Sequence, residues 1–138
     1  MGMSLKLCVS VVAFLLLGFG AHAATCSPKD ATELVQTLDK LSPFTGTWHW
    51  DNPSGKDLSG TSRMTITALS GNKLNVSWFS NSSFGRAQSV QTTSSQSISF
   101  KANGAVSLRL GSDCRLTGIQ KYTAKGKTYN VRLVLRPR

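Results

Sequence analysis

Acidic side chains are scarce in this sequence. Its 138 residues hold 6 Asp+Glu against 16 Lys+Arg, a formal charge of +10. Glu33 is the only glutamate, and five of the six acids precede residue 58. Histidine is rarer still, with His22 and His49 alone. General acid–base catalysis needs titratable groups that converge on a substrate, and so thin a supply argues against an enzyme. No serine sits in a nucleophile-elbow sequence, and Gly-rich phosphate loops, paired C-x-x-C motifs and EF-hand loops are all missing. One catalytic alternative can be drawn, a set of His49, Asp51 or Asp57, and one of the many serines. No organic cofactor and no metal are expected, since beyond residue 23 two cysteines and a single histidine do not make a four-ligand zinc set.

What is present is a modest stock of apolar residues, 40% of the chain, enough for one core and one domain. The first 23 residues read as a secretory signal peptide: Lys6, an apolar run over 8–19, then Ala21-His22-Ala23 as an A-x-A cleavage site. A run of that length falls short of the about 20 residues a membrane-spanning helix requires, so no transmembrane span is expected. The expected destination is periplasmic or extracellular. Lys6 leaves with the leader, so 15 basic residues face 6 acidic ones and the mature charge is +9. Two cysteines remain, Cys26 and Cys114. An even count in a small exported domain is most simply one disulfide; two free thiols or a thiol–metal site are the alternatives. Such a bridge would stabilise the fold by about 4–5 kcal/mol in the chain-entropy picture.

Residues 24–43 read as an amphipathic helix. Ser27 is the expected N-cap, Pro28 the first helical residue, and Asp30 echoes a capping box. Ala31, Leu34, Val35, Leu38 and Leu41 recur at helical spacing, and Pro43 stops the run. After Pro43 the period becomes two. Phe44, Gly46, Trp48 and Trp50 share one face and Thr45, Thr47 and His49 the other. Met64, Ile66 and Ala68; Leu74, Val76 and Trp78; Ile98 and Phe100; and Val106, Leu108 and Leu110 each alternate with polar residues. Asn103-Gly104 suits a tight hairpin turn. Two more strands run from Leu116 to Tyr122 and from Tyr129 to Leu135. Between Trp78 and Ile98, residues 80–97 contain 13 uncharged polar residues in 18, read as one edge-like strand near 86–91 flanked by loops. The count is eight. The expected fold is therefore all-β, an eight-stranded antiparallel up-and-down barrel over 44–138 with one short N-terminal helix.

Gly46-Thr47-Trp48, on the first strand just after a short helix, resembles the G-x-W motif of the calycin superfamily of lipocalins, avidins and fatty-acid-binding proteins. The Arg-bearing last strand, Tyr129-Asn130-Val131-Arg132-Leu133-Val134-Leu135-Arg136, adds to the likeness, which covers residues 44–138. The resemblance implies a barrel with a general binding role and an arginine, Arg132 or Arg136, stacked against a structural Trp48. A second lipocalin signature, T-D-x-x-Y, is missing, no residue matches a biotin site, and no ligand is carried over.

Charge is divided unevenly. Residues 58–138 hold 12 basic residues and the single acid Asp113, whereas residues 24–57 hold three basic and five acidic ones. Arg63, Lys101, Arg109, Arg115, Lys121, Arg132 and Arg136 alternate with apolar positions and should form an anion-facing exterior. Nucleic acid is an unfavoured partner, because Trp48, Trp50 and Trp78 fall on the apolar face rather than among the cations, with Phe79 and Phe84 as exceptions. Two readings of a non-catalytic binding protein follow. In the first, the barrel holds a small apolar or amphipathic ligand against Trp50, Met64, Trp78, Phe100 and Leu108, with Phe84 over the entrance. In the second, the interior is filled and the cationic exterior docks an anionic envelope polymer or an acidic protein, an inhibitor role included. Asn75-Val76-Ser77 and Asn81-Ser82-Ser83 fit the N-glycosylation pattern, which has meaning only in a eukaryotic secretory pathway.

Overall fold

A computed structural model describes residues 25–51, 58–80, 83–102 and 104–138. The segment expected to be a secretory leader, together with Asp57, Asn81 and Asn103, lies outside the described residues. One helix, α1 (Ala31–Leu41), precedes eight strands: β1 (Phe44–Trp50), β2 (Leu58–Ala68), β3 (Lys73–Ser80), β4 (Ser83–Gln91), β5 (Ser97–Lys101), β6 (Ala105–Leu110), β7 (Leu116–Ala124) and β8 (Lys127–Pro137). All pairings are antiparallel, in the spatial order β4-β3-β2-β1-β8-β7-β6-β5. The first strand therefore lies between the second and the last, with Trp48 opposite both Gly60 of β2 and Leu133 of β8. This is the expected eight-stranded barrel with one feature added: β4 and β5, the two ends of the sheet, are not paired with each other.

The period of two decides which side chains form the core. Met64 and Ile66 of β2, Leu74, Val76 and Trp78 of β3, Ile98 and Phe100 of β5, Val106, Leu108 and Leu110 of β6, and Leu133 and Leu135 of β8 are all buried. The residues between them are polar and mostly exposed, as alternation across a half-buried sheet requires. Leu34, Val35 and Leu38 of α1 are completely buried in the same core, and the helix rests on β2 and β3.

The helix starts later than the sequence suggests. Its N-cap is Asp30, whose Oδ1 accepts from the Glu33 N–H at 2.8 Å, while Glu33 Oε2 accepts from the Lys29 N–H at 3.2 Å. Ser27 cannot cap it because the chain ahead is held elsewhere. The Cys26 N–H donates to Ser112 O at 2.9 Å, and Cys26 is bonded to Cys114 in the turn between β6 and β7. The expected disulfide is thus present, joining residues 88 positions apart. At the other end of α1, Ser42 Oγ accepts from the Ile66 N–H at 2.9 Å and fastens the helix to β2.

Two strands also exceed their expected bounds. β2 begins at Leu58 and β4 at Ser83, because the small polar residues there have hydrogen-bonding partners in β1 and β3 although they carry no apolar alternation. β4 contains a bulge, with Ser89 at φ +52 and the register shifted opposite Asn75. The Ser89 N–H donates to Asn75 Oδ1 at 2.9 Å. That bond and its place inside β3 put Asn75 in a strand rather than in the exposed loop that a glycan acceptor favours.

Where β4 and β5 face each other, side chains replace the missing ladder. Trp78 of β3 lies over Gly85 of β4, its register partner, and its ring centroid comes within 5.5 Å of that of Phe100 on β5. A Cβ built on Gly85 would fall 2.6 Å from the Trp78 ring, so only glycine leaves the indole room to reach across. Below this contact, Thr92 is buried, and its Oγ1 donates to Ser97 O at 2.8 Å. Asn72 Nδ2 donates to Thr92 O at 2.7 Å, which ties the β4–β5 connection to the β2–β3 turn.

Candidate functional site

Four of the six residues expected to line a ligand pocket are buried in the barrel core. Met64, Trp78, Phe100 and Leu108 are each less than a tenth exposed. Among the described residues they belong to one packed core. The interior space bounded by Ser62, Met64, Trp78, Ser80, Val106, Gln120 and Leu133 amounts to about 10 Å³, which is room for about one water molecule. Ser62 and Ser80 meet there, Oγ to Oγ, at 3.0 Å. Trp50 shares the inward phase of Trp48 at the end of β1, where it is edge-on to Tyr129 and Tyr122 with centroids 5.1 and 6.2 Å away. Phe84 points outward and is 52% exposed. It is no lid over the interior, because Gly85 and Ala87 occupy the inward phase of β4.

Trp48 lies on the inward face of β1, and its ring covers Gly60, where an added Cβ would come within 2.7 Å of Nε1. The arginines of the last strand do not stack on it. Arg132 is the register partner of His49 and Arg136 that of Thr45, so both leave the barrel on its outer side. Arg132 Nη2 donates to Asp51 Oδ1 at 3.1 Å.

The other expected cations also face outward. Arg63, Lys101, Arg109, Lys121, Arg132 and Arg136 are exposed and Arg115 is partly so. Their few partners are at the surface: Arg115 Nε lies 3.5 Å from Asp113 Oδ2, and Arg109 Nη2 donates to the neutral Gln96 Oε1 at 2.8 Å. Between Lys101 and Lys121 the outer wall carries a broad depression of about 590 Å³, with Ala105, Ile119 and Ser107 among its lining. Ile119 was hidden among polar neighbours in the sequence. Its signal is that it shares the outward phase of Lys121, which leaves it 42% exposed. A smaller cleft of about 370 Å³ follows the seam between β4 and β5, flanked by Arg86 on one side and Lys101 on the other.

His49 Nε2 lies 3.5 Å from Asp51 Oδ1, and Ser59 is the cross-strand partner of His49. The same carboxylate oxygen binds Arg132, and the Asp51 side chain is 55% exposed. Among the described residues these groups share an exposed outer face of the sheet. Among the described residues no group of three or more His, Cys, Asp or Glu side chains could hold a metal ion. No helix among them is long and apolar enough to cross a membrane. Comparison with known protein families, with curated proteins and with solved structures finds no significant match to this chain.

Proposed function

We propose that the protein is exported, has no catalytic role, and works by docking an anionic polymer or an acidic protein of the cell envelope against its cationic exterior. The observation that carries this reading is the contrast between inside and outside. The interior space beside Met64 and Trp78 is about 10 Å³, while the depression between Lys101 and Lys121 is about 590 Å³ and has an apolar floor at Ile119. A carrier of small apolar molecules needs the reverse, since ligand pockets run to about 300 Å³ or more inside the protein. The disulfide supports an oxidising destination. Membership of the calycin superfamily remains part of the same proposal, supported by the helix-first barrel and the inward Trp48. The arginine contact implied by that resemblance is replaced by the Arg132–Asp51 pair.

The test is binding of the mature chain to dextran sulfate by titration calorimetry across a salt series. Wild-type affinity should fall steeply as salt rises, and the double change Lys101→Glu and Lys121→Glu should weaken it about tenfold or more at low salt. Equal affinity in the double variant would remove the docking reading. A stoichiometric apolar molecule recovered from protein purified from its native compartment would restore the carrier reading in its place.

A further inference from the structure

From the outer face of β2, β3 and β4 we infer a second binding site, one for an acidic oligosaccharide. It goes beyond the docking surface above, because it lies on the wall across β1 from the β5–β8 cations. Three outward residues from each strand form a grid. β2 supplies Arg63, Thr65 and Thr67; β3 supplies Phe79, Ser77 and Asn75; β4 supplies Phe84, Arg86 and Gln88. The register sets the rows: Arg63–Phe79–Phe84, then Thr65–Ser77–Arg86, then Thr67–Asn75 with the bulge beside Gln88. Strand spacing and rise make the grid about 10 Å by 14 Å, a surface a short oligosaccharide can cover.

The chemistry of these nine side chains is narrow. Two are aromatic rings, 53% and 52% exposed at Phe79 and Phe84. Two are arginines, and five carry hydroxyl or amide groups. None is aliphatic and none acidic, and no Asp or Glu occurs anywhere from residue 58 to 112. Phe79 and Phe84 are register partners, and cross-strand neighbours stand about 5 Å apart, so the two rings are side by side on one face rather than successive steps on which bases could stack. The C–H face of a pyranose fits such a platform. Beside it, Thr65, Thr67, Asn75, Ser77, Arg86 and Gln88 line a groove of about 220 Å³, a set of donors and acceptors suited to ring hydroxyls. The bulge prepares one of them. With Asn75 Oδ1 held by the Ser89 N–H at 2.9 Å, the Asn75 amide presents its donors to the groove.

The arginines select charge. The Arg86 guanidinium carbon lies 4.9 Å from the centroid of Phe84, a cation–π contact that leaves guanidinium N–H groups for a carboxylate. Arg63 adjoins Phe79 on the opposite side of the platform. A uronic-acid oligomer, with its carboxylates flanking stacked rings, matches this order of groups, and the charge complementarity excludes neutral glycans as the favoured ligand.

Titration of ¹⁵N-labelled mature protein with tetragalacturonate, maltotetraose and the oligonucleotide dT4 tests the site. Tetragalacturonate should shift amides of β2, β3 and β4. Phe79→Ala and Phe84→Ala, both at half-exposed positions that leave the core untouched, should each weaken it about tenfold. Arg86→Gln should abolish the preference for tetragalacturonate over maltotetraose, and the Lys101→Glu, Lys121→Glu double variant should bind tetragalacturonate like wild type. Unchanged affinity in both phenylalanine variants overturns the proposal. So do shifts confined to β5–β8, or tighter binding of dT4 or maltotetraose than of tetragalacturonate. Because the lysine double variant disables only the docking surface, the two proposals fail separately.

Discussion

Replacing Gly85 by alanine tests how the barrel is closed. The new methyl group would stand 2.6 Å from Cε2 and Cζ2 of Trp78, well inside van der Waals contact, so the indole must move. It has little room: Trp78 is 6% exposed, and its far edge meets Phe100 across the unpaired line between β4 and β5. Forcing one extra carbon into a packed core costs about 1–3 kcal/mol. For a domain of this size that corresponds to about 4–12 °C in the melting midpoint. The assay is urea and thermal unfolding followed by circular dichroism, with hydrogen exchange to locate the change. Exchange should accelerate in β4 and β5 before the other strands, because the Trp78–Phe100 contact spans the gap between them. In a Phe100→Ala background the indole gains space, so the Gly85→Ala penalty should shrink by about 0.5 kcal/mol or more. Full stability in Gly85→Ala, or a penalty that is the same with and without Phe100, would refute the reasoning.

The disulfide and the helix cap give two further expectations. Closing a loop of 88 residues corresponds to about 4–5 kcal/mol, so Cys26→Ser with Cys114→Ser should lower the melting midpoint by about 20 °C. A midpoint unchanged in the double variant, or unmoved when wild type is reduced, would show that the bridge adds nothing. Asp30→Ala removes the acceptor of the Glu33 N–H and should cost about 1 kcal/mol in urea unfolding. Ser27→Ala should cost less than half of that, and the reverse order would return the cap to Ser27.

Much of the fold was legible because the period of the apolar residues changes at Pro43 and holds through most of the later strands, the polar residues 80–97 excepted. Strand phase also sets Arg63, Lys101, Arg109, Lys121, Arg132 and Arg136 outward, whereas Arg115 precedes β7 and is partly exposed. Failures came where local signals competed with long-range ties. Ser27-Pro28 has the chemistry of a helix start, but the bridge from Cys26 to Cys114 keeps that stretch along the β6–β7 turn. Phe84 was misread as a lid because Gly85 interrupts the alternation by which its direction would be known. The candidate site was less legible than the fold. Alternation states which residues point inward but not how far apart the walls stand, nor that Trp48 lies over Gly60 and Trp78 over Gly85. The outer grid on β2–β4 depends on strand register, which sequence patterning sets only through the turns.

The line along which β4 and β5 lie unjoined has a consequence for behaviour in concentrated solution. Each strand offers bare main-chain amides and carbonyls there, a template on which a strand from a neighbouring molecule could grow. The sequence places three deterrents along it. β5 is only five residues long, Ser89 kinks the backbone of β4, and Arg86 and Lys101 set positive charge on both banks. A second copy approaching edge-on meets like charge and a broken template, so the incomplete ring is kept from becoming a nucleus for fibrous assembly.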